Sequence, residues 1–201
     1  MTWKIALAFS LGVAAGYFRA LPGIFVEKAE LLLTLALVFL VFGIGVEIAG
    51  NRSALSLIKK MGWRSLLLPA LSMGGTVAFS ALAGIFLNMS PLVSAAVGCG
   101  FGWYSLSGIL LTPVFGASVG VIAFLSNIFR EILTFLGGEV VYQRLGGWPA
   151  VAMGGATSMD TTLPLLSSIS KGRLDALAMM SGVIHSLAVP VLVPFFANLV
   201  R

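Results

Sequence analysis

The residues able to do chemistry are few, and they stand where ionisable groups are costly. Glu131, Arg130 and Asp160 each lie inside a long apolar run. A charged side chain at mid-bilayer depth costs roughly 3 kcal/mol even on lenient insertion scales, so each of the three needs a reason to be there. Between residues 116 and 137, helical spacing places Asn127, Glu131 and Thr134 on one stripe with Ser126 and Arg130 beside it, while Phe124, Leu125, Ile128, Ile132 and Phe135 fill the remaining surface. That pattern predicts a membrane helix whose polar face turns toward a protein-lined or watery cavity. Neighbouring helix positions point about 100° apart, so Arg130 and Glu131 are poorly placed to neutralise each other. Either each locks onto a partner on another helix, or Glu131 is a working carboxylate.

A second constellation is residues 154–164, GGATSMDTTLP, within another apolar segment. Paired glycines, the hydroxyls of Thr157, Ser158, Thr161 and Thr162, Asp160 and Pro164 predict backbone that unwinds at membrane depth. Such backbone is tolerated only where it lines a cavity, where its free carbonyls and half-helix ends can hold ions or charged cargo. The plainer alternative is a kink with Asp160 capping the half-helix that follows. A third patch, residues 98–108 (GCGFGWYSLSG), is rich in glycine but is no phosphate loop: no lysine follows at nucleotide-loop spacing and no strand precedes it. Trp103, Tyr104, Ser105 and Ser107 suit a pocket for an organic cation, since aromatic faces attract ammonium groups. Interfacial anchoring by the aromatics is the alternative. His185, the single histidine, reads as a buried hydrogen-bonded residue rather than a proton relay, and Glu47 sits near the end of its span, within reach of interfacial water. With Cys99 as the lone cysteine, no intrachain disulfide and no metal-ligand spacing can be assembled, and no metal or cofactor is expected.

The elements that must position these groups are membrane helices. Of 201 residues, 59% are hydrophobic and only 9% charged, and the mean hydropathy is +1.06. Such a chain has the lipid bilayer as its solvent. Seven hydrophobic segments follow one another, at residues 3–18, 31–49, 65–87, 92–112, 116–137, 150–168 and 174–200. The first three are clear. The later ones are interrupted by glycine, hydroxyl or charged residues, and residues 98–120 also fit a re-entrant hairpin. The first segment could serve as a secretory signal, but an uncleaved span is the simpler reading. Small-residue pairs at helical spacing, Gly12 with Gly16 and Gly116 with Gly120, predict close helix packing. The net charge of +5 comes from basic residues at segment ends, which marks topology rather than nucleic-acid binding. Arg52, Lys59, Lys60 and Arg64 place the connection after the second span in the cytoplasm; alternation then puts the N-terminus inside, Lys171 and Arg173 inside, and the C-terminus outside. The expected fold is all-α: a polytopic membrane protein with broken or re-entrant helices, forming a single transmembrane domain over residues 1–201.

Four stretches together resemble the LysO family of bacterial lysine exporters: residues 100–112 (GFGWYSLSGILLT), 127–132 (NIFREI), 155–164 (GATSMDTTLP) and 185–194 (HSLAVPVLVP). The resemblance extends over essentially the whole chain, more loosely in the first spans. It implies export of L-lysine across the cytoplasmic (inner) membrane, coupled to protons or another ion, with Glu131 and Asp160 matching the family's intramembrane carboxylates. It also implies part of an inverted-repeat transporter fold with broken helices crossing near the midplane. Full-length relatives carry further N-terminal spans, so the resemblance implies a separately encoded small membrane subunit, or a homodimer, as a partner. Two intramembrane carboxylates independently favour cationic cargo, since each can trade a proton for an ammonium group. The competing functions are a Na⁺/H⁺-type antiporter using the same carboxylates and a non-catalytic membrane subunit of a two-component transporter. An intramembrane aspartyl protease pairing Asp160 with Asp175 is disfavoured, because Asp175 lies at the cytoplasmic edge beside Lys171 and Arg173. No enzymatic activity is expected.

Overall fold

Because lipid offers the backbone no hydrogen bonds, every spanning segment must satisfy its own amides, and helices do so along their length. Our computed structural model describes residues 62–200 together with Leu11, Lys28, Leu31, Leu35, Phe39, Phe42, Gly43 and Val46. The chain divides into two compact units, Met1–Phe42 and Gly43–Arg201, and the architecture below is that of the second. Apart from the isolated positions named, the expected spans at 3–18 and 31–49 lie outside the described residues, as do Glu47, the Gly12–Gly16 pair and the basic residues Arg52, Lys59 and Lys60.

Among the described residues every regular element is helical. A 3-10 turn, Trp63–Leu66, leads into α1, Leu67–Phe86. Asn88 turns the chain with a φ of 54°, and Pro91 opens the short helix α2, Pro91–Gly98, at a position where its missing N–H costs nothing. After residues 99–103 comes α3, Tyr104–Phe115, and past Gly116 the 29-residue helix α4, Ala117–Leu145. Helix α5, Gly147–Gly154, runs into a 3-10 turn, Gly155–Met159. Helices α6, Leu163–Ser170, and α7, Asp175–Asn198, complete the unit.

Among the described residues three stretches are long and apolar enough to cross a membrane: Trp63–Phe86, Ala117–Leu145 and Asp175–Asn198. The chain is a polytopic membrane protein. Leu71, Phe79 and Phe86 on α1 and Phe129, Leu133 and Leu136 on α4 are exposed, an apolar exterior that suits lipid and not water. Helix α7 is the most enclosed of the three. It buries Ala178, Met180, Ser181, His185, Val189 and Val193 against the 3-10 turn, α2 and α3.

The other two expected spans are each broken in the middle. Residues 92–112 divide into α2 and α3, and residues 150–168 divide into α5, the 3-10 turn and α6. Two details differ from the sequence expectation. Helix α4 continues past Gly137 to Leu145, with Gly138 turned toward the side chain of Leu165, so the glycine pair there serves packing and does not end the helix. Gly116 is not one of a packing pair: it forms the α3–α4 corner at a φ of 84° with open space around it, and Gly120 alone makes the close approach, 3.1 Å from the Gly108 carbonyl as measured from a Cβ placed there.

Candidate functional site

The two helix breaks meet. The Ala156 N–H donates to the Phe101 carbonyl at 2.8 Å, tying the 3-10 turn after α5 to the loop between α2 and α3. Both sides of the contact need glycine. Gly102 has a φ of +99°, and a Cβ there would sit 3.1 Å from the Gly154 carbonyl oxygen; Gly155 has a φ of +60°, and a Cβ there would run into the Phe101 carbonyl.

Two polar side chains from successive turns of α4 hold this crossing. Asn127 Oδ1 accepts the Gly102 N–H at 2.7 Å, and its Nδ2 donates to the carbonyls of Val97 at 3.2 Å and Ala123 at 2.8 Å and to Ser107 Oγ at 3.2 Å. A single buried amide thus ties the end of α2 and the loop after it to α4. Arg130 does the same for the second break. Its Nε donates to the Met153 carbonyl at 2.9 Å, its Nη2 to the Ala152 carbonyl at 2.8 Å and its Nη1 to Thr76 Oγ1 at 3.2 Å. Those carbonyls belong to the last turn of α5, where a cation also meets the negative end of the helix dipole. Arg130 therefore finds its partner in backbone, not in a carboxylate.

Several other sequence candidates are engaged inside the crossing. Thr157 donates to the Gly154 carbonyl at 2.9 Å and lies 3.4 Å from the Thr162 hydroxyl. Ser158 reaches the carbonyls of Gly155 and Ala178, and Ser107 that of Tyr104. Thr162, Ser158 and Ser107 are all fully buried. His185 is buried too: Nδ1 lies 2.7 Å from the Ser181 carbonyl, Nε2 lies 3.1 Å from Ser72 Oγ, and the ring meets Phe101 edge-on with centroids 5.4 Å apart. Asp175 accepts from Ser167 Oγ in the first turn of α7.

A second group stays accessible. Glu131 and Tyr104 are half-buried, and Asp160, Ser105 and Thr161 are exposed. The charges of Glu131 and Asp160 both act on the Tyr104 hydroxyl, so a carboxylate from α4 and one from the second break lie within electrostatic range of the first turn of α3. The Tyr104 ring is fixed edge-on against Phe124, centroids 5.4 Å apart. Glu131 makes no hydrogen bond or ion pair with any described residue. Asp160 accepts hydrogen bonds from its neighbour Thr161, and α6 begins at Leu163 without a side-chain cap, so Asp160 does not cap that half-helix. Among the described residues no three metal-ligating side chains gather.

Sequence reasoning passed over Ser72, Thr76 and Ser80. They recur every fourth position along α1, a polar stripe on an otherwise apolar helix, and that spacing was the available signal.

Apolar spans and two helices broken at centres that meet define a polytopic membrane protein, and Glu131 and Asp160 stay without a cationic partner among the described residues. The sequence profile described as Lysine exporter LysO matches residues 6–197. Lysine exporter LysO of Escherichia coli (strain K12) is 31% identical over 186 residues, which are 92% of this chain and 62% of that protein. A Haemophilus influenzae relative is 32% identical over 169 residues, 81% of this chain and 82% of the relative. The chain belongs to the LysO lysine exporter family. It thus spans less than two thirds of the Escherichia coli relative's length. No solved structure matches it.

Proposed function

We propose that this chain exports L-lysine across the cytoplasmic membrane, with Glu131 and Asp160 exchanging protons for the ammonium groups of the cargo. The observation that carries this reading is that two carboxylates, unpaired with any cation among the described residues, both lie within electrostatic range of Tyr104, while the adjacent Arg130 is turned away into backbone carbonyls. Negative groups held beside an aromatic hydroxyl attract an ammonium ion, and each can release a proton as the cation arrives. The family to which the chain belongs supports lysine as the cargo. The basic connection at Arg52, Lys59, Lys60 and Arg64 supports a cytoplasmic N-terminal side. A small membrane subunit or a second copy of the chain is the proposed partner.

The test is efflux of labelled lysine from proteoliposomes, with the chain alone and with any membrane subunit that copurifies. Lysine efflux that accelerates with an inward proton gradient is the expected result. Glu131→Gln and Asp160→Asn should abolish it while the protein still inserts. Sodium-dependent proton flux without lysine movement would replace this reading with cation/proton antiport, and full efflux by both amides would leave the chain as scaffold.

A further inference from the structure

Asp160 and Tyr104 come from different breaks, so the gap between them is a matter of tertiary structure. Asp160 directly follows the 3-10 turn, and Tyr104 stands three residues after Phe101. Their spacing is therefore set by what holds Met159 and Phe101, and one stretch of α7, residues 178–186, holds both.

Gly182 lies against the backbone of the 3-10 turn. A Cβ there would sit 2.6 Å from the Met159 amide nitrogen and 2.5 Å from Met159 Cβ, closer than real Cβ atoms approach. One turn earlier the Ala178 carbonyl accepts from the buried Ser158 hydroxyl at 2.8 Å, and one turn later the Ser186 hydroxyl lies 4.0 Å from Met159 Sδ. On the adjoining face, His185 sets its imidazole edge-on to the Phe101 ring. Both imidazole nitrogens are engaged, Nδ1 with the Ser181 carbonyl and Nε2 with Ser72 Oγ. The imidazole is thus fixed in orientation, with neither nitrogen free for cargo.

Phe101 carries an independent mark of constraint. Its φ is 47°, a left-handed backbone that bulky side chains avoid, and such strain persists only where the surroundings over-determine it. The surroundings here are His185 against its side chain, the Ala156 N–H on its carbonyl, and Asn127 on the N–H of the next residue, Gly102. The contacts close a circuit: Phe101 to Ala156, along the turn to Met159, across to Gly182, along α7 to His185, and back to Phe101. Phe101, Ala156, Gly182 and His185 are all buried.

We infer that Gly182 and His185 are positioning residues, which together set the distance between Asp160 and Tyr104 and so the width of the site offered to the cargo. The inference rests on the lysine-export reading for what occupies the site, and adds what fixes the site's dimensions.

Spin labels at Ser105→Cys and Thr161→Cys flank the site at exposed positions, while Cys99 is fully buried. Their dipolar coupling in the reconstituted full chain reports the spacing without reference to lysine, and efflux kinetics of the unlabelled chain report its use. Gly182→Ala should shift or broaden the coupling and raise the KM for lysine on the order of tenfold, with a smaller change in maximal rate, since misplacing a binding group by about 1 Å costs that much or more. His185→Asn keeps a donor for the Ser181 carbonyl but offers Phe101 no ring, and should move both readouts in the same way. It carries the test if Gly182→Ala does not fold. Gly75→Ala, whose Cβ meets open space, should move neither. Folded variants that keep the unaltered coupling, or the unaltered KM, would reduce Gly182 and His185 to packing and overturn the assignment, whatever their unfolding temperature. A chain that moves no lysine even when unaltered overturns the lysine reading instead, and the coupling alone then decides the role of α7.

Discussion

Two sets of charged or strongly polar side chains near the crossing do different work. Asn127 and Arg130 are bonded mainly to backbone groups and hold the breaks in place. Glu131 and Asp160 act on Tyr104 without a paired cation among the described residues. Substitution should separate the two sets. Arg130→Ala leaves the Ala152 and Met153 carbonyls without their donors, and with roughly 1.5–3 kcal/mol for each bond to a charged group the loss of stability should exceed about 3 kcal/mol. Arg130→Lys keeps the charge but cannot fork to two carbonyls, so it should recover only part of that loss. Glu131→Gln and Asp160→Asn should stay within about 0.5 kcal/mol of the unaltered protein. Thermal unfolding in detergent measures all four, and a destabilised amide beside a tolerated Arg130→Ala would reverse the assignment of roles. The two carboxylates were legible in the sequence because an intramembrane charge demands an explanation. Ser72 and Thr76 were not, because a hydroxyl in a helix can bond the carbonyl four residues back, as Thr76, Thr112 and Thr134 do, and so makes no demand that a sequence displays.

At the scale of elements, the sequence carried the places where helices break but not what the breaks do to each other. The glycines, hydroxyls and proline of residues 154–164 and the glycines of 98–108 both signalled irregular backbone. The bond from Ala156 N–H to the Phe101 carbonyl is a tertiary fact, set by α4 presenting Asn127 to one break and Arg130 to the other. Glycine alone was an ambiguous sign. Gly116 sits at a corner, Gly137 and Gly138 lie within α4, and Gly155 makes the crossing. Local sequence does not distinguish these uses, since each depends on what approaches from elsewhere. Gly155→Ala should therefore be severe: its left-handed φ costs roughly 1–2 kcal/mol with a Cβ, and that Cβ meets the Phe101 carbonyl. Gly75→Ala, in the middle of α1 with open space around it, should be neutral or stabilise by about 0.5–1 kcal/mol through helix propensity alone. Expression level and unfolding temperature of the two variants measured side by side test the crossing, and a Gly155→Ala protein as stable as Gly75→Ala would refute it.

For the whole molecule, composition alone established a polytopic membrane protein, because a chain this apolar has no other solvent. Its orientation rests on basic residues of which Arg52, Lys59 and Lys60 lie outside the described region. The proposed exchange of protons for lysine makes one demand on the molecule as a whole: water must reach the carboxylates from a membrane face. Thiol labelling can test that demand with little engineering, because Cys99 is the only cysteine and is fully buried. Thiolate is the reactive species and forms only where water stabilises it, so a hydrophilic maleimide reports aqueous access rather than mere exposure to lipid. Thr161→Cys beside Asp160 and Ser105→Cys beside Tyr104, both at exposed positions, should label in intact vesicles, and added lysine should slow the reaction. Ser158→Cys and Ser107→Cys, both fully buried within the crossing, should not label, nor should the unaltered chain. If Thr161→Cys and Ser105→Cys resist the reagent from both sides of the membrane, Glu131 and Asp160 face lipid or a sealed interior, where no proton could be traded for cargo.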